Sequence, residues 1–282
     1  MNILITGHKG FVGKYFWKKL DNGKNKLTGV DIKDNIDCRD FFKKSDTQFD
    51  LVIHLAAVVG GRETIENRPL AIADNFSIDS EFFQWCLKTK PKKVVYFSSS
   101  AAYPTYYQVE GNQRKLNEDM ADFSSKPDMT YGWSKMVGEY LASFVDSVYI
   151  FRPFSGYGKD QDLNYPFPMY VKRALEKQDP FEVWGNGKQT RDFIHINDIV
   201  DAVITSLDND PIGPINLGTG RSTSFLELAG MCMDTVGYKG KIVTRPEKPI
   251  GCMHRVSDNS KMLSFYTPKI SLEQGIWEAV NG

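Results

Sequence analysis

Residues 7–13, Gly-His-Lys-Gly-Phe-Val-Gly, follow a short apolar run at Asn2–Thr6 and lead into a helical pattern over Val12–Leu20. A strand, a loop with glycine at every third position and a helix, in this order, are typical of a dinucleotide-binding turn. Glycine permits the tight turn and lets the backbone approach a pyrophosphate, whose charge then lies at the helix N-terminus. We therefore predict that a dinucleotide contacts Gly7, Gly10, Phe11, Val12 and Gly13.

The second predicted strand, Leu27–Asp31, ends in an acidic residue 18 positions after Gly13. A carboxylate at this spacing accepts hydrogen bonds from a ribose 2′-hydroxyl and repels a 2′-phosphate. Lys9 gives the opposite signal, because a cation in the glycine loop suits a 2′-phosphate. We predict NAD as the cofactor, with Asp31 and Ile32 at its ribose and with Asp37 and Cys38 in a short strand beside its adenine.

Short apolar runs alternate with helical patterns through the first half of the chain. Further strands are predicted at Asp50–Ala57, Lys93–Ser98 and Val148–Phe151. Helices are predicted at Asn67–Lys90, opening near Pro69, and at Thr130–Val145. This alternation predicts an α/β fold with a doubly wound parallel sheet of the Rossmann type. The small residues that end the third strand would let a cofactor lie against the sheet: Leu55, Ala56 and Ala57.

After Pro153 prolines become frequent and the helical patterns short, which favours a smaller α/β lobe that binds the substrate. We expect the dinucleotide-binding domain to comprise residues 1–157, with residues 188–217 returning to it. Residues 158–187 and 218–282 would then form the substrate lobe.

Composition excludes several classes of protein. The 282 residues carry 35 Lys plus Arg and 35 Asp plus Glu, so there is no basic surplus for nucleic acid or an anionic membrane. No stretch reaches the ~18 consecutive apolar residues that a membrane helix needs. The four cysteines and four histidines are scattered without a C-x-x-C pair. We therefore expect neither a disulfide framework nor a metal site, and a reducing cytoplasm as the location.

A tyrosine and a lysine, Tyr131 and Lys135, lie four residues apart and so share one face of a predicted helix. Free tyrosine has a pKa of ~10, and a neighbouring cation favours its phenolate form. Such a tyrosine can accept the proton of a sugar hydroxyl while a hydride leaves the same carbon.

Three serines, Ser98 to Ser100, end the strand KVVYF, where open α/β sheets place ligand-binding groups. One of their hydroxyls is expected to hydrogen-bond the same substrate oxygen as Tyr131. A serine hydrolase is disfavoured, since no G-x-S-x-G elbow surrounds these serines.

Ten stretches in order resemble the NAD-dependent epimerase/dehydratase family of extended short-chain dehydrogenases/reductases, whose members modify nucleotide sugars. They are GHKGFVG (7–13), GVDI (29–32), HLAA (54–57), DNFS (74–77), YFSSSAAYP (96–104), YGWSK (131–135), RPFSGYG (152–158), TRDFIHINDIV (190–200), INLGTG (215–220) and HRVSDNSKM (254–262).

The resemblance implies roles for individual residues. Ser99 corresponds to the catalytic serine, Tyr131 to the base and Lys135 to its partner and ribose ligand, with Asn75 near the cofactor. An arginine fork suits phosphate geometry, so Arg191 and Arg255 are expected at the nucleotide's pyrophosphate or ribose. Further substrate contacts are expected at Ser100, Ala101, Asn216 and Asp258. The family also commonly forms homodimers through helices such as the one that carries Tyr131.

Departures from the family pattern narrow the reaction. Family 4,6-dehydratases carry Asp-Glu directly after the catalytic residue, where this chain has Ser100 and Ala101. Family 3,5-epimerases carry a cysteine at the position of Ala101. Hydride removal and return at C4 remain, so we predict a C4 epimerase that acts through a transient 4-keto sugar. Ser155 also departs, since RPF is usually followed by Asn.

Two alternatives stay open at this point. HLAAVVGG and GHKGFVG resemble GDP-fucose synthase, which favours an NAD(P)H-dependent 4-keto reductase. A family member that binds cofactor without catalysis is disfavoured by the intact set of Ser99, Tyr131 and Lys135.

Overall fold

The computed structural model describes all residues from Met1 to Gly282. The strands are β1 (Asn2–Thr6), β2 (Lys26–Val30), β3 (Leu51–His54), β4 (Lys93–Phe97), β5 (Val148–Pro153), β6 (Ser155–Tyr157), β7 (Phe181–Trp184), β8 (Thr190–Arg191), β9 (Phe193–His195), β10 (Ile215–Leu217), β11 (Thr223–Ser224), β12 (Ile242–Arg245) and β13 (His254–Arg255). The helices are α1 (Phe11–Leu20), α2 (Cys38–Lys44), α3 (Arg62–Asn67), α4 (Pro69–Ile72), α5 (Asp74–Thr89), α6 (Met129–Ala142), α7 (Pro166–Leu175), α8 (Ile196–Ser206), α9 (Phe225–Thr235), α10 (Ser260–Leu263) and α11 (Leu272–Asn281).

Six strands form the central sheet in the order β10-β5-β4-β3-β1-β2, and every pairing is parallel. The sheet is buried on both faces, because alternate residues of β1 enter different cores: Ile3 and Ile5 one, Leu4 the other. Helices α1 and α8 cover the first face, and α2, α5 and α6 the second. The predicted doubly wound α/β fold is confirmed, and β1 lies at the point where the strand order reverses.

The second half of the chain builds a smaller unit around its own core. Its strands form the sheets β11-β8-β13, β12-β7 and β6-β9. Helices α7, α9 and α11 pack against these strands and contribute the buried side chains of Phe167, Leu228 and Ile276. Helix α8 and strand β10 return to the central sheet, in the region expected to do so. The predicted domain limits themselves stay a prediction.

The helix predicted over residues 67–90 is present as α4, which begins at Pro69 as predicted, and α5, with only Ala73 between them. Helix α3 ends just before it, because Pro69 disfavours a helical residue before it and Arg68 has φ −130° and ψ 52°. Two local predictions were wrong. Asp37 and Cys38 form no strand: Asp37 caps α2 by accepting a bond from the Arg39 amide, and Cys38 begins the helix. Strand β3 stops at His54, because the next two amides bond to Thr6 Oγ1 at 3.2 Å.

No helix is both long and apolar enough to span a bilayer. All four cysteines are unpaired, and only Cys252 is not fully buried.

Candidate active site

Two cavities meet at Tyr131 along the carboxyl edge of the central sheet. The first, of about 910 Å³, runs from the glycine loop and Asp31 to Tyr131 and Lys135. The second, of about 470 Å³, runs from Ser99 and Tyr131 into the smaller unit. Both volumes lie in the range of small-molecule sites. A group bound in one cavity can therefore meet a group bound in the other at the Tyr131 side chain.

The glycine loop forms a cradle that no larger residue would leave open. Gly7 has φ +70°, and a Cβ there would lie 2.9 Å from the Ala56 amide nitrogen. A Cβ on Gly13 would lie 2.1 Å from the Gly7 carbonyl oxygen, so the turn closes only with glycine at both positions. Helix α1 begins directly after Gly10, and no side chain caps it. Its first amides are free to bind an anion in the cavity.

Asp31 is held as a fixed hydrogen-bond acceptor at the far end of the first cavity. Its Oδ2 accepts from the Lys9 amide and its Oδ1 from the Lys33 amide, both at 2.8 Å. The side chain of Lys9 turns away to pair with Asp34. Lys9 therefore supports the Asp31 carboxylate with its backbone and does not supply the cation expected for a 2′-phosphate.

The residues predicted to contact the cofactor line the first cavity, with one exception. The lining set comprises Gly7, Gly10, Phe11, Val12, Gly13, Asp31, Ile32, Asp37, Cys38, Leu55, Ala56, Ala57, Tyr131 and Lys135. Asn75 is not among them, because both polar atoms of its side chain bond to the main chain of Val58. Its Nδ2 donates to the Val58 carbonyl at 2.9 Å, and its Oδ1 accepts from the Val58 amide at 2.7 Å. Asn75 thus holds the segment after β3 in place from behind, which corrects its prediction as a cofactor contact.

The cavity fits a dinucleotide such as NAD. A glycine cradle lies at its middle, an ionised acceptor at one end and a buried ammonium group at the other. The cradle and α1 would hold the pyrophosphate, Asp31 the adenosine ribose, and Lys135 with Tyr131 the nicotinamide end.

Three residues from two elements come together where the cavities join. Ser99 ends the β4 segment and caps the short turn Ser100–Ala102, its Oγ accepting from the Ala101 amide at 3.1 Å. Tyr131 and Lys135 lie one turn apart on α6, as the spacing predicted. Tyr131 reaches both cavities, Ser99 the second and Lys135 the first.

The neighbouring serine has a structural role. Ser98 donates a short hydrogen bond to Glu139, which also binds Arg152 through bonds of 2.9 and 2.6 Å. Burial alone would lower the pKa of Arg152, but its bonds to Glu139 outweigh burial and raise it. This buried ion pair ties α6 to β5 and so fixes the helix that carries the reactive tyrosine.

Two arginines predicted at the substrate lie in the second cavity. Arg255 donates to Gln108 Oε1 at 2.5 Å and to Asp128 Oδ2 at 2.7 Å. Arg191 has no carboxylate partner and donates only to main-chain carbonyls, those of Thr190 at 2.7 Å and Cys252 at 2.8 Å. Burial lowers the pKa of Arg191, so an entering phosphate would stabilise its charge.

Sequence reasoning missed a charged pair in the same cavity. Asp128 caps α6 three residues before Tyr131, and Arg62 donates to both of its oxygens at 2.9 and 3.0 Å. Burial would raise the pKa of Asp128, but Arg255 and Arg62 outweigh it and hold that pKa below its usual value. The position of Asp128 beside Tyr131 was a usable signal, whereas nothing local pointed to Arg62.

Aromatic side chains form one wall of the second cavity. Tyr165, which also lines the first cavity, and Tyr170 come from α7 and its N-cap. Trp184 and Phe225 were not predicted, because they come from β7 and α9, far away in the sequence. Ser100, Ala101 and Ser155 line the cavity near Ser99.

Asn216 and Asp258 lie outside both cavities, which corrects their prediction as substrate contacts. Asn216 is fully buried, accepts from the Tyr103 hydroxyl at 2.6 Å and donates to the carbonyls of Leu116 and Asp258. The Asp258 carboxylate accepts from the amide and hydroxyl of Ser260 at the start of α10. The Asn216 side chain thus joins β10 to the segment before α10, whereas the Asp258 carboxylate closes a local turn.

Comparison with known proteins agrees with this geometry. The sequence model of the NAD dependent epimerase/dehydratase family matches residues 3–218. The chain belongs to this family. It is an enzyme of the nucleotide-sugar epimerase/reductase group of extended short-chain dehydrogenases/reductases, and its cofactor is NAD.

Relatives of this family member include both reductases and epimerases. A dTDP-4-dehydro-6-deoxy-D-allose reductase of Streptomyces sp is 28% identical, over 92% of this chain and 89% of the relative. A putative UDP-glucose 4-epimerase of Methanocaldococcus jannaschii is 30% identical, over 99% and 97%. The fold matches a UDP-glucuronic acid 4-epimerase from Bacillus cereus, in complex with UDP-glucuronic acid and NAD, with a TM-score of 0.84 at 24% identity, covering 100% and 98%.

Proposed function

We propose that the protein is an NAD-dependent nucleotide-sugar epimerase that inverts C4 through a transient 4-keto sugar. The observation that carries this proposal is the place of Tyr131, at the junction of the two cavities with Ser99 and Lys135. A sugar in the second cavity would present one hydroxyl to this group, with the nicotinamide end of the first cavity beside the same carbon.

The residues after Ser99 support C4 chemistry over two other reactions of the family. Ser100 and Ala101 are buried at the cavity wall and supply neither a carboxyl pair nor a thiol. Asp128, a carboxylate nearby, has both oxygens bound by arginines and a lowered pKa, so it is a poor proton donor. Dehydration at C5 and C6 and epimerisation at C3 and C5 therefore lack their acid–base groups.

The chain's own groups divide the work at the 4-hydroxyl. The Tyr131 phenolate accepts the hydroxyl proton, the Ser99 hydroxyl donates a hydrogen bond to the same oxygen, and Lys135 stabilises the phenolate. Bound NAD supplies the hydride-accepting ring. The 4-keto sugar then rotates in the cavity to present its other face, while Arg191, Arg255 and the aromatic wall hold the nucleotide. Tyr131 finally returns the proton to the 4-oxygen.

A 4-keto reductase is the second candidate. It is supported by the reductase among the relatives, whose coverage of this chain is nearly complete. The fixed Asp31 carboxylate favours the epimerase, because an epimerase retains NAD and returns its hydride within one turnover.

The experiment that separates these candidates uses UDP-glucose, UDP-glucuronic acid and dTDP-glucose with the NAD-loaded enzyme. We expect one of them to show inversion at C4 by ¹H NMR with no net change in absorbance at 340 nm. Stoichiometric oxidation of NADH or NADPH by a dTDP- or GDP-linked 4-keto-6-deoxy sugar, with no inversion of any fully hydroxylated sugar, would establish the reductase instead. The Tyr131→Phe variant is the control for both assays.

A further inference from the structure

A set of buried polar side chains lies under α6, and the proposed C4 mechanism does not use it. Asp79, on α5, is 2% exposed, and its Oδ2 accepts from the Tyr96 hydroxyl at 2.6 Å. Its Oδ1 lies 3.5 Å from His54 Nε2. On the other side of the ring, His54 Nδ1 is 2.8 Å from Thr6 Oγ1. These side-chain contacts therefore connect β1, β3, α5 and β4.

The Asp79 carboxylate has no arginine or lysine paired with it. Burial lowers the pKa of His54, which outweighs the attraction of Asp79, so the ring stays neutral and cannot balance the carboxylate. Burial also raises the pKa of Tyr96 well above its usual value, which keeps its hydroxyl a donor. An ionised carboxylate buried without a cation destabilises a fold strongly.

Lys135 presents the complementary situation. It is 4% exposed, and no carboxylate forms a salt bridge with it. Its Nζ lies 5.2 Å from the centroid of the Tyr96 ring, the same residue whose hydroxyl binds Asp79. A buried cation and a buried anion, neither with a charged partner, thus both contact Tyr96, one at its ring and the other at its hydroxyl.

Helix α6 packs closely against Tyr96 and Asp79 at Gly138, three residues after Lys135. A Cβ on Gly138 would lie 1.8 Å from the Tyr96 hydroxyl oxygen and 2.7 Å from Asp79 Oδ2. The other ionisable groups nearby are Tyr131 and Glu139 on α6, and Glu139 is already neutralised by Arg152. Asp79 is therefore the remaining buried anion for Lys135.

We propose that Asp79, acting through Tyr96, is the counter-ion and positioning residue of Lys135. The inference rests on the proposed role of Lys135 at the nicotinamide ribose and the Tyr131 phenolate. The negative charge of Asp79 offsets the charge of the buried ammonium group, and the Tyr96 ring face fixes where that group lies.

A double-mutant cycle on thermal stability tests the charge pairing without substrate. Asp79→Asn and Lys135→Met each leave one buried charge unbalanced and should each lower the melting temperature. In the double variant both charges are gone, so Asp79→Asn should lower it no further than Lys135→Met alone. Strictly additive losses would overturn the proposal. If Asp79→Asn alone does not fold, a folded double variant supports it, and failure of both contradicts it.

The second test measures the dissociation constant of NAD at pH 7 by calorimetry, in a Tyr131→Phe background that removes the reactive phenol. Adding Asp79→Asn should raise this constant several-fold, because the ammonium group loses the charge that positions it at the nicotinamide ribose. Tyr96→Phe, which keeps the ring and removes the hydroxyl, should raise it by less.

The matched control is Thr89→Val, on the same helix as Asp79. Thr89 is buried and donates only to the Trp85 carbonyl at 2.8 Å, so its loss destabilises α5 without touching Lys135. It should leave the dissociation constant of NAD unchanged. An unchanged dissociation constant in the folded Asp79→Asn variant would refute the proposal. Neither test uses a nucleotide sugar, so failure of the epimerase proposal leaves both outcomes interpretable.

Discussion

The functional side chains of this protein are held in place by hydrogen bonds and ion pairs with neighbouring groups. Asp31 is an acceptor for a ribose because two backbone amides fix its oxygens, and Tyr131 reaches both cavities because α6 is tied to the sheet through Glu139 and Arg152. A substitution at such a residue can therefore remove one functional atom while leaving the supporting contacts in place.

Tyr131→Phe removes the proton acceptor and keeps the ring. General acid–base groups contribute roughly 10²–10⁴-fold, so we expect turnover of the true substrate to fall by about that factor. NAD affinity, measured by calorimetry, should change little because the ring still packs. Near wild-type turnover would show that the catalytic assignment is wrong.

Asp31→Ala removes the acceptor for the 2′-hydroxyl and the charge that repels a 2′-phosphate. Hydrogen bonds to charged groups contribute about 1.5–3 kcal/mol, so the preference for NAD over NADP should narrow by roughly tenfold or more. The ratio of the two dissociation constants is the measurement. Asp40→Ala, which removes an exposed carboxylate of α2 outside the cavity, is the control and should leave the ratio unchanged.

At the scale of elements, the sequence predicted the order of strands and helices around the site because each signal is local. Glycine spacing, the acid after the second strand and the four-residue step from Tyr131 to Lys135 each lie within one turn or one helix. Pro69 likewise marked the start of a helix, whereas the cap at Asp37 replaced a predicted strand although its cause, the bond from the Arg39 amide, is also local.

Gly138 gives the prediction at this scale, since it sets how closely α6 approaches the sheet. Gly138→Ala places a methyl group 1.8 Å from the Tyr96 hydroxyl oxygen, and such overpacking typically destabilises by about 1–3 kcal/mol. Gly230→Ala in α9, where nothing lies within 4 Å of the new Cβ, should instead stabilise by up to about 1 kcal/mol. Urea unfolding of both variants measures the contrast, and equal effects would contradict it.

At the scale of the whole molecule, α6 leaves an aromatic cluster exposed. Met136 of α6 is buried, whereas Tyr140 on the same helix and Phe144, two residues after its end, are 51% and 58% exposed. Their rings contact each other at 5.2 Å between centroids, and Phe123 contacts Tyr140 at 5.6 Å. An exposed apolar cluster of this kind is typical of an interface with a second copy.

We expect a homodimer through this cluster, with twice the 32.0 kDa mass of one chain by light scattering at micromolar concentration. Phe144→Asp should shift the protein toward the monomer, because it places a charge in an apolar contact. Trp277→Asp, an equally exposed aromatic residue on α11, should leave the mass unchanged. A wild-type monomer under these conditions would refute the dimer.

The fold class, the glycine-loop cavity and the placement of Tyr131 and Lys135 on one helix face beside the Ser99 segment were all predictable without a structure. Each of these depends on neighbours only a few residues away, whose spacing alone fixes their geometry. Which distant side chains face the cavities depended on tertiary packing. Packing placed Asn75 and Asn216 against main-chain groups, and it brought Arg62 onto Asp128 and Asp79 onto the Tyr96 hydroxyl. These contacts join elements 17 to 100 residues apart, and packing, not local spacing, decides where such side chains point.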